Sequence, residues 1–264
     1  MKKNALPKIL KTILKIFLVC IVVAGMGTAY ISGKIYKKNI VCKGLEASVV
    51  DSLHSRFIQA DDVAGLILNK YGEFEGIPCN KINLAAIENI IDSQDAVKKS
   101  EVYFNRDGNL NVIIDQREPI LRVQMGANGF YVDKEHILFP LQKQYTANVI
   151  VMDGAMPFSW ENYKNKDFSG KMQQEWLDGA VELAVKLQEN PLWKKKVSQF
   201  HCSSRYGIIV IPKEGHEKFV FGFPDNLDAK ISRMEKYYTH IKPVKKDKDY
   251  IRIDLRYDGQ IICK

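Results

Sequence analysis

His201 and Cys202 are neighbours, and they are the residue types of a thiolate nucleophile and its base. The surrounding "VSQFHC" reads as a strand, in which adjacent side chains point to opposite faces. Adjacency therefore separates the imidazole from the thiol. The other histidines, at 54, 136, 216 and 240, are scattered, and none has a partner at metal-ligand spacing. The cysteines, at 20, 42, 79, 202 and 263, form no C-x-x-C. Buried free thiols are the plain reading of them, with pairing outside the cell as the alternative. Asp61 and Asp62 are adjacent carboxylates, but they open a helix-periodic stretch with Asp61 where an N-cap should stand, and the helix dipole accounts for both. Asp254 lies between Arg252 and Arg256 on what reads as the wet face of a strand, where surface ion pairing explains it. No nucleophile elbow, zinc-protease helix, Walker loop or dinucleotide fingerprint occurs. These residues predict no catalytic group, no metal site and no cofactor, and a membrane-anchored cell-wall enzyme has no constellation to rest on.

The charge distribution excludes a second class. The chain of 264 residues has a net charge of +8. Nine lysines and no carboxylate fall in residues 1–43, which leaves 30 basic against 31 acidic side chains in the rest. A nucleic-acid binder needs a basic stripe on a folded face, and this body is near neutral. The charged head of the chain frames "IFLVCIVVAGMGTAYISG", Ile16–Gly33, 18 residues without a charge. With the apolar residues upstream it predicts a transmembrane helix over 9–33, behind a cytoplasmic tail at 1–8, since a span takes ~20 apolar residues. A cleaved signal peptide ending near Gly27 and Ala29 is the alternative. Five lysines before the span and four after it, with the amino terminus, place the N-terminus inside and the bulk outside the cytoplasm. The runs "WKKK" (193–196) and "KPVKKDKD" (242–249) read as solvated loop and helix ends.

Hydrophobic periodicity then divides the outer part. A short strand is expected at Ile40–Val41, then a helix with Val63, Leu66, Ile67 and Tyr71 on one face and Gly72 closing it. A second helix should follow Asn83, with Leu84, Ile87, Ile90 and Ile91 inward. Alternation on both sides of Asp107–Gly108 predicts a hairpin. This order, strand–helix–helix–strand–strand, gives a small sheet covered by two helices over 40–118. From Pro119 to the end, residues 119–264 predict a mostly antiparallel β domain with two helices. One carries Trp176, Ala180, Leu183, Ala184 and Leu187, and the other carries Leu227, Ile231, Met234, Tyr238 and Ile241. The closing strand at 249–257 buries Ile251, Ile253 and Leu255. The fold class is α+β.

Several stretches resemble the FtsQ/DivIB cell-division family. They are "FIQADDV", "DGNLNVIIDQREPILRV", "GFYVD" with "ILFPL", "FGFPDNLDAKISRM" and "DYIRIDLRYDGQIICK". The resemblance covers nearly the whole chain and implies that residues 40–118 form a POTRA-like domain. It departs from the family in its short cytoplasmic tail and in having no extension after Lys264. It implies a non-enzymatic scaffold at the division septum that binds FtsB/FtsL-like coiled-coil proteins through its C-terminal strand. Through these partners the scaffold would act on septal peptidoglycan synthesis, with the POTRA-like domain engaging other division components. Arg256 and Tyr257 match partner-contacting positions of the family, and Arg205 matches a basic contact more loosely. With Gly259, Gln260 and Ile261 these make the expected binding stretch. A POTRA-containing export or assembly component is the alternative, but tandem modules or a membrane barrel would be expected there.

The closing stretch supports such use on physical grounds. An open edge strand invites pairing, and each added ladder bond is worth about 1 kcal/mol net. Arg256 could fork onto a partner carboxylate, and the Tyr257 ring adds area. The expected form is one long strand with a bulge at Gly259. The alternative is a hairpin at Asp258–Gly259 that folds 260–264 back on 251–257.

Overall fold

A computed structural model describes residues 8–50, 57–142, 145–168, 170–244 and 250–264. The predicted tail, His54 and the end of the second lysine run fall largely outside them. Helix α1 (Lys8–Asn39) runs 32 residues through the region expected to span a membrane. Its large apolar side chains between Ile16 and Tyr30 are all exposed. The described side chains of α1 run from 15 to 30, short of the ~20 residues a span takes. Among the described residues no helix is long and apolar enough to cross a membrane.

Beyond that helix the chain forms two compact units, one holding 58–115 with the residues up to 50, the other holding residue 57 with 116–264. The first unit contains β1 (Gly44–Val50), α2 (Ala60–Lys70), α3 (Leu84–Asp92), β2 (Val97–Phe104) and β3 (Asn109–Gln116). The sheet order is β1-β3-β2, with β1 parallel to β3 from Gly44 opposite Asn109 to Val50 opposite Asp115. Val63 and Ile67 of α2 and Ile87 and Ile91 of α3 pack with Leu110, Val112 and Ile114 of the sheet. Two expectations shift. Ile40–Val41 is not the strand: Val41 makes a lone bridge to Pro78, held by Cys42 N–H to the Ile77 carbonyl and Cys79 N–H to the Ile40 carbonyl, and β1 starts at Gly44. Gln59, not Asp61, holds the N-cap position of α2, without a side-chain capping bond, so Asp61 and Asp62 sit in the first turn, where the dipole favours them. Asn83 does cap α3, its Oδ1 accepting from Ala86 N–H at 3.1 Å.

The second unit is one nine-stranded sheet with helices packed on it. Its strands are β4 (Pro119–Met125), β5 (Asn128–Asp133), β6 (Leu138–Pro140), β7 (Ile150–Gly154), β8 (Val197–Ser203), β9 (Gly207–Pro212), β10 (Lys218–Gly222), β11 (Arg252–Asp254) and β12 (Ile262–Cys263). The order is β12-β11-β10-β9-β8-β7-β4-β5-β6. Five neighbouring pairs are antiparallel, and three (β4–β7, β7–β8 and β10–β11) are parallel. The sheet is thus more mixed than expected. Two of the parallel joins need helical crossovers: α5 (Lys171–Glu189) carries the chain from β7 to β8, and α6 (Leu227–Lys236) carries it from β10 to β11. A third, short helix, α4 (Trp160–Lys164), is an addition to the expected two.

On α5 the predicted stripe is buried, and Gly179 lets the helix approach so closely that a Cβ there would meet the Pro224 carbonyl oxygen at 2.4 Å. After α6 the chain continues through a π turn at Tyr237–Ile241. The wider turn changes the helical phase, so Tyr237 takes the core place expected of Tyr238, which is only partly buried. The opposite face of β5 and β6 carries Tyr131 and Phe139, covered by Phe57 at ring distances of 5.3 and 5.6 Å. Of the closing residues, Ile253 and Leu255 are fully buried, but Ile251 is 62% exposed because regular pairing begins only at Arg252.

The β2–β3 turn is the tightest point of the first unit. Gly108 has φ +91, and a Cβ there would lie 2.7 Å from the Val41 carbonyl oxygen. Gly108→Ala should therefore cost about 1–3 kcal/mol, from left-handed strain together with that clash. Urea denaturation of the full chain should show it as a lower midpoint with an unchanged slope.

Candidate functional site

The C-terminal segment is a hairpin. β12 pairs antiparallel with β11, with Cys263 opposite Ile253 and Ile262 opposite Asp254. Lys264 extends the pairing: its N–H donates to the Arg252 carbonyl at 2.9 Å and its carbonyl accepts from Arg252 N–H at 3.0 Å. The turn closes with Gln260 N–H on the Tyr257 carbonyl at 3.3 Å, and Gly259 takes φ +71. The bulged long strand is thus corrected to the hairpin that Asp258–Gly259 also allowed. A glycine at positive φ completes that turn without steric cost. β12 is one end of the sheet, with no further strand beside it among the described residues. The other end, β6, finishes on Pro140, whose missing N–H blunts an edge.

Three contacts fix where this hairpin leaves the sheet. Leu255 N–H donates to the Val220 carbonyl at 2.9 Å. From α6 the buried Arg233 donates to the Leu255 carbonyl at 2.9 Å and reaches Asp258 at 3.5 Å. Arg256 forks onto Asp254, Nε to Oδ1 at 2.9 Å and Nη2 to Oδ2 at 2.7 Å. Asp254 is 6% exposed, so this is no surface pair, as the alternation had suggested. Burial works against its charge, but the Arg256 guanidinium and backbone N–H outweigh that and hold the carboxyl below its ordinary value. Asp254 in turn raises the Arg256 guanidinium above its own.

The stem of Arg256 lies across β10. A Cβ on Gly222 would meet its Cδ at 2.8 Å and its Cγ at 2.9 Å. A Cβ on Gly207 would meet the Gly222 carbonyl carbon at 2.5 Å. These two glycines let the β8–β9 turn and the C-terminal hairpin share one surface. Tyr206, carried by that turn, is ringed by three guanidinium groups: Arg205 and Arg252 at 5.2 Å and Arg256 at 5.4 Å from the ring centre. Arg252 also donates to the Tyr206 hydroxyl at 2.9 Å. Arg256 lies 5.7 Å from the ring of Tyr257, which is 49% exposed.

The structure therefore gathers Arg205, Arg256 and Tyr257 on one patch. Gly259 and Gln260 are exposed in the turn beyond it, and Ile261 is half-buried against the core. Arg256 is bound to its own chain's carboxylate, which gives it a structural task before any partner arrives. Arg205 is exposed and forms no ion pair among the described residues. Sequence reading missed Tyr206, Arg252 and Arg233. The first two lie 46 residues apart, and nothing local links them. Arg233 sits within an otherwise recognised helix, three positions from the buried Lys230 and four from Tyr237, and that spacing was the available signal.

The residues that suggested chemistry are apart. On β8 His201 is exposed, its Nδ1 2.8 Å from Asp153, whereas Cys202 is buried and burial pushes its thiol up to about 12. A thiol so placed is protonated at neutral pH and is not a nucleophile. Among the described residues no group of three or more histidine, cysteine or carboxylate side chains could hold a metal ion.

Comparison with known proteins gives two matches. Residues 118–264 match the family described as FtsQ/DivIB, C-terminal related. Residues 40–115 match the POTRA-like domain. No curated protein matches the chain.

Asp254→Asn should lower the stability of the second unit by about 2 kcal/mol at neutral pH, since hydrogen bonds to charged groups contribute ~1.5–3 kcal/mol. The folded Asp254 carboxyl titrates below its ordinary value of 3.8, so its contribution is whole above that value and is lost as the pH falls through the lower folded one. Denaturation from neutral to strongly acid pH should show the parent and Asp254→Asn converging only at the acid end.

Proposed function

The chain belongs to the FtsQ/DivIB family of cell-division scaffolds, and on that premise we propose that it binds a partner strand at β12, beside the arginine–tyrosine patch. The observation that carries this reading is the position of β12 at the end of the sheet, on the hairpin whose turn carries the half-exposed Tyr257. A strand added there extends the β11–β12 ladder by main-chain bonds. β12 is only two residues long, so few such bonds are on offer. Side chains must supply the remaining affinity. Tyr257 offers a half-exposed ring, and Arg205 offers a guanidinium fork for a partner carboxylate. The partners of this reading are FtsB/FtsL-like coiled-coil proteins, through which the scaffold acts on septal peptidoglycan synthesis without catalysis of its own. The POTRA-like domain engages further division components.

The same reading makes α1 a single-pass anchor in the cytoplasmic membrane at the septum, with the N-terminus inside and the two units outside. Its support is the uncharged Ile16–Gly33 within one continuous helix, with large apolar side chains exposed along it. An export or assembly role for a POTRA-containing protein is less well supported, because the region after the single POTRA-like match is division-related.

Tyr257→Ala and Tyr257→Lys should each weaken co-purification with the FtsB-like partner by about thirtyfold, since a buried interface tyrosine carries ~2 kcal/mol. The melting transition should stay in place. Undiminished capture by both variants would remove the edge reading. Deleting 258–264 is a poorer test, because Ile261 and Cys263 pack on the core and their loss destabilises the unit itself.

A further inference from the structure

Lys195 and Lys196 of one lysine run and Lys242 of the other, which read as unrelated solvated ends, line one cleft. It holds about 440 Å³ and is lined by Trp193, Lys195, Lys196, Lys213, Tyr238 and Lys242, with Glu214 at its border. The backbone sets the lysines close together: Lys213 N–H donates to the Lys196 carbonyl at 2.7 Å, and Lys196 N–H donates to the Trp193 carbonyl at 2.8 Å. Lys195 is held at φ +64, outside the ordinary range of a side-chain-bearing residue. Lys242 is fixed by an ion pair with the buried Glu217 and lies 4.7 Å from the Tyr238 ring centre. Lys195, Lys196 and Lys213 have no carboxylate within ion-pair distance among the described residues. Like charges brought together by the backbone repel, and a bound anion relieves the repulsion.

A buried tryptophan forms part of the cleft wall. Trp193 is 2% exposed, and its Nε1–H has no acceptor among the described residues. We infer that this cleft binds a phosphate-bearing ligand, with the lysines neutralising its charge. Phosphate fits better than carboxylate because no arginine fork lines the cleft. Ammonium groups act as point charges suited to a tetrahedral oxyanion. The volume is that of a small-molecule site, enough for a diphosphate or a lipid headgroup. The site lies apart from the C-terminal hairpin and does not rest on the partner-strand reading.

The test uses the full chain in a glucoside detergent and phosphate-free buffer, titrated calorimetrically with inorganic pyrophosphate and, at equal ionic strength, with citrate. The parent should bind pyrophosphate saturably and more tightly than citrate. Lys195→Gln with Lys213→Gln should weaken pyrophosphate binding at least about tenfold, as the loss of charge-assisted contacts implies. The melting temperature should be unchanged, and the single variants should fall between. Phosphatidylcholine vesicles containing phosphatidylglycerol then separate the sources: displacement of pyrophosphate assigns the cleft to a lipid headgroup, and no displacement assigns it to a soluble phosphate. No saturable pyrophosphate binding, citrate binding as tightly, or equal binding by the double variant would each overturn the inference.

Discussion

The bidentate pair between Asp254 and Arg256 is the constraint on which the C-terminal surface depends. A carboxylate almost wholly removed from water is tolerated only if something answers its charge. Arg256 does so, and in doing so its stem is drawn across β10 over Gly222, where no Cβ stands in the way. Once that stem is down, the guanidinium reaches the rings of Tyr206 and Tyr257. The β8–β9 turn, the parallel β10–β11 join and the final hairpin are thereby locked into one patch. Arg233 completes the lock from α6 by holding the Leu255 carbonyl. A substitution at Arg256 accordingly reports on folding as much as on recognition.

The mixed topology places this patch at a sheet end. Two of the three parallel joins occur where a helix intervenes between strands, and the one between β10 and β11 brings the last long-range pairing to the outermost part of the sheet. Only the two-residue β12 is added outside it. Short edge strands limit unwanted pairing. On the proposed reading a partner strand combines a modest ladder with side-chain contacts, which makes recognition selective where a long bare edge would not be.

Much of the fold was legible in the sequence because it follows local periodicity. The α5 stripe, the Asn83 cap and the Asp107–Gly108 turn each depend on residues a few positions apart. What was not legible depends on distant pairings. Asp254 is buried although it alternates with arginines, and a strand that alternates in sequence gives no sign of which neighbours will enclose it. The ring of arginines around Tyr206 joins two turns across an intervening strand through glycines whose meaning appears only in three dimensions. Likewise the lysines at 195, 196 and 242 read as parts of two separate exposed runs, and nothing in the sequence joins them with Lys213 at one cleft.

The bonding of Lys264 has a practical side. Both its backbone groups are engaged with Arg252, so any sequence fused directly behind it starts its course inside the sheet, alongside the outermost strand. An affinity handle or fluorescent reporter placed there would compete for the very ledge at which we propose a partner binds. Labels for this protein belong ahead of Lys8, at the opposite extremity of the chain.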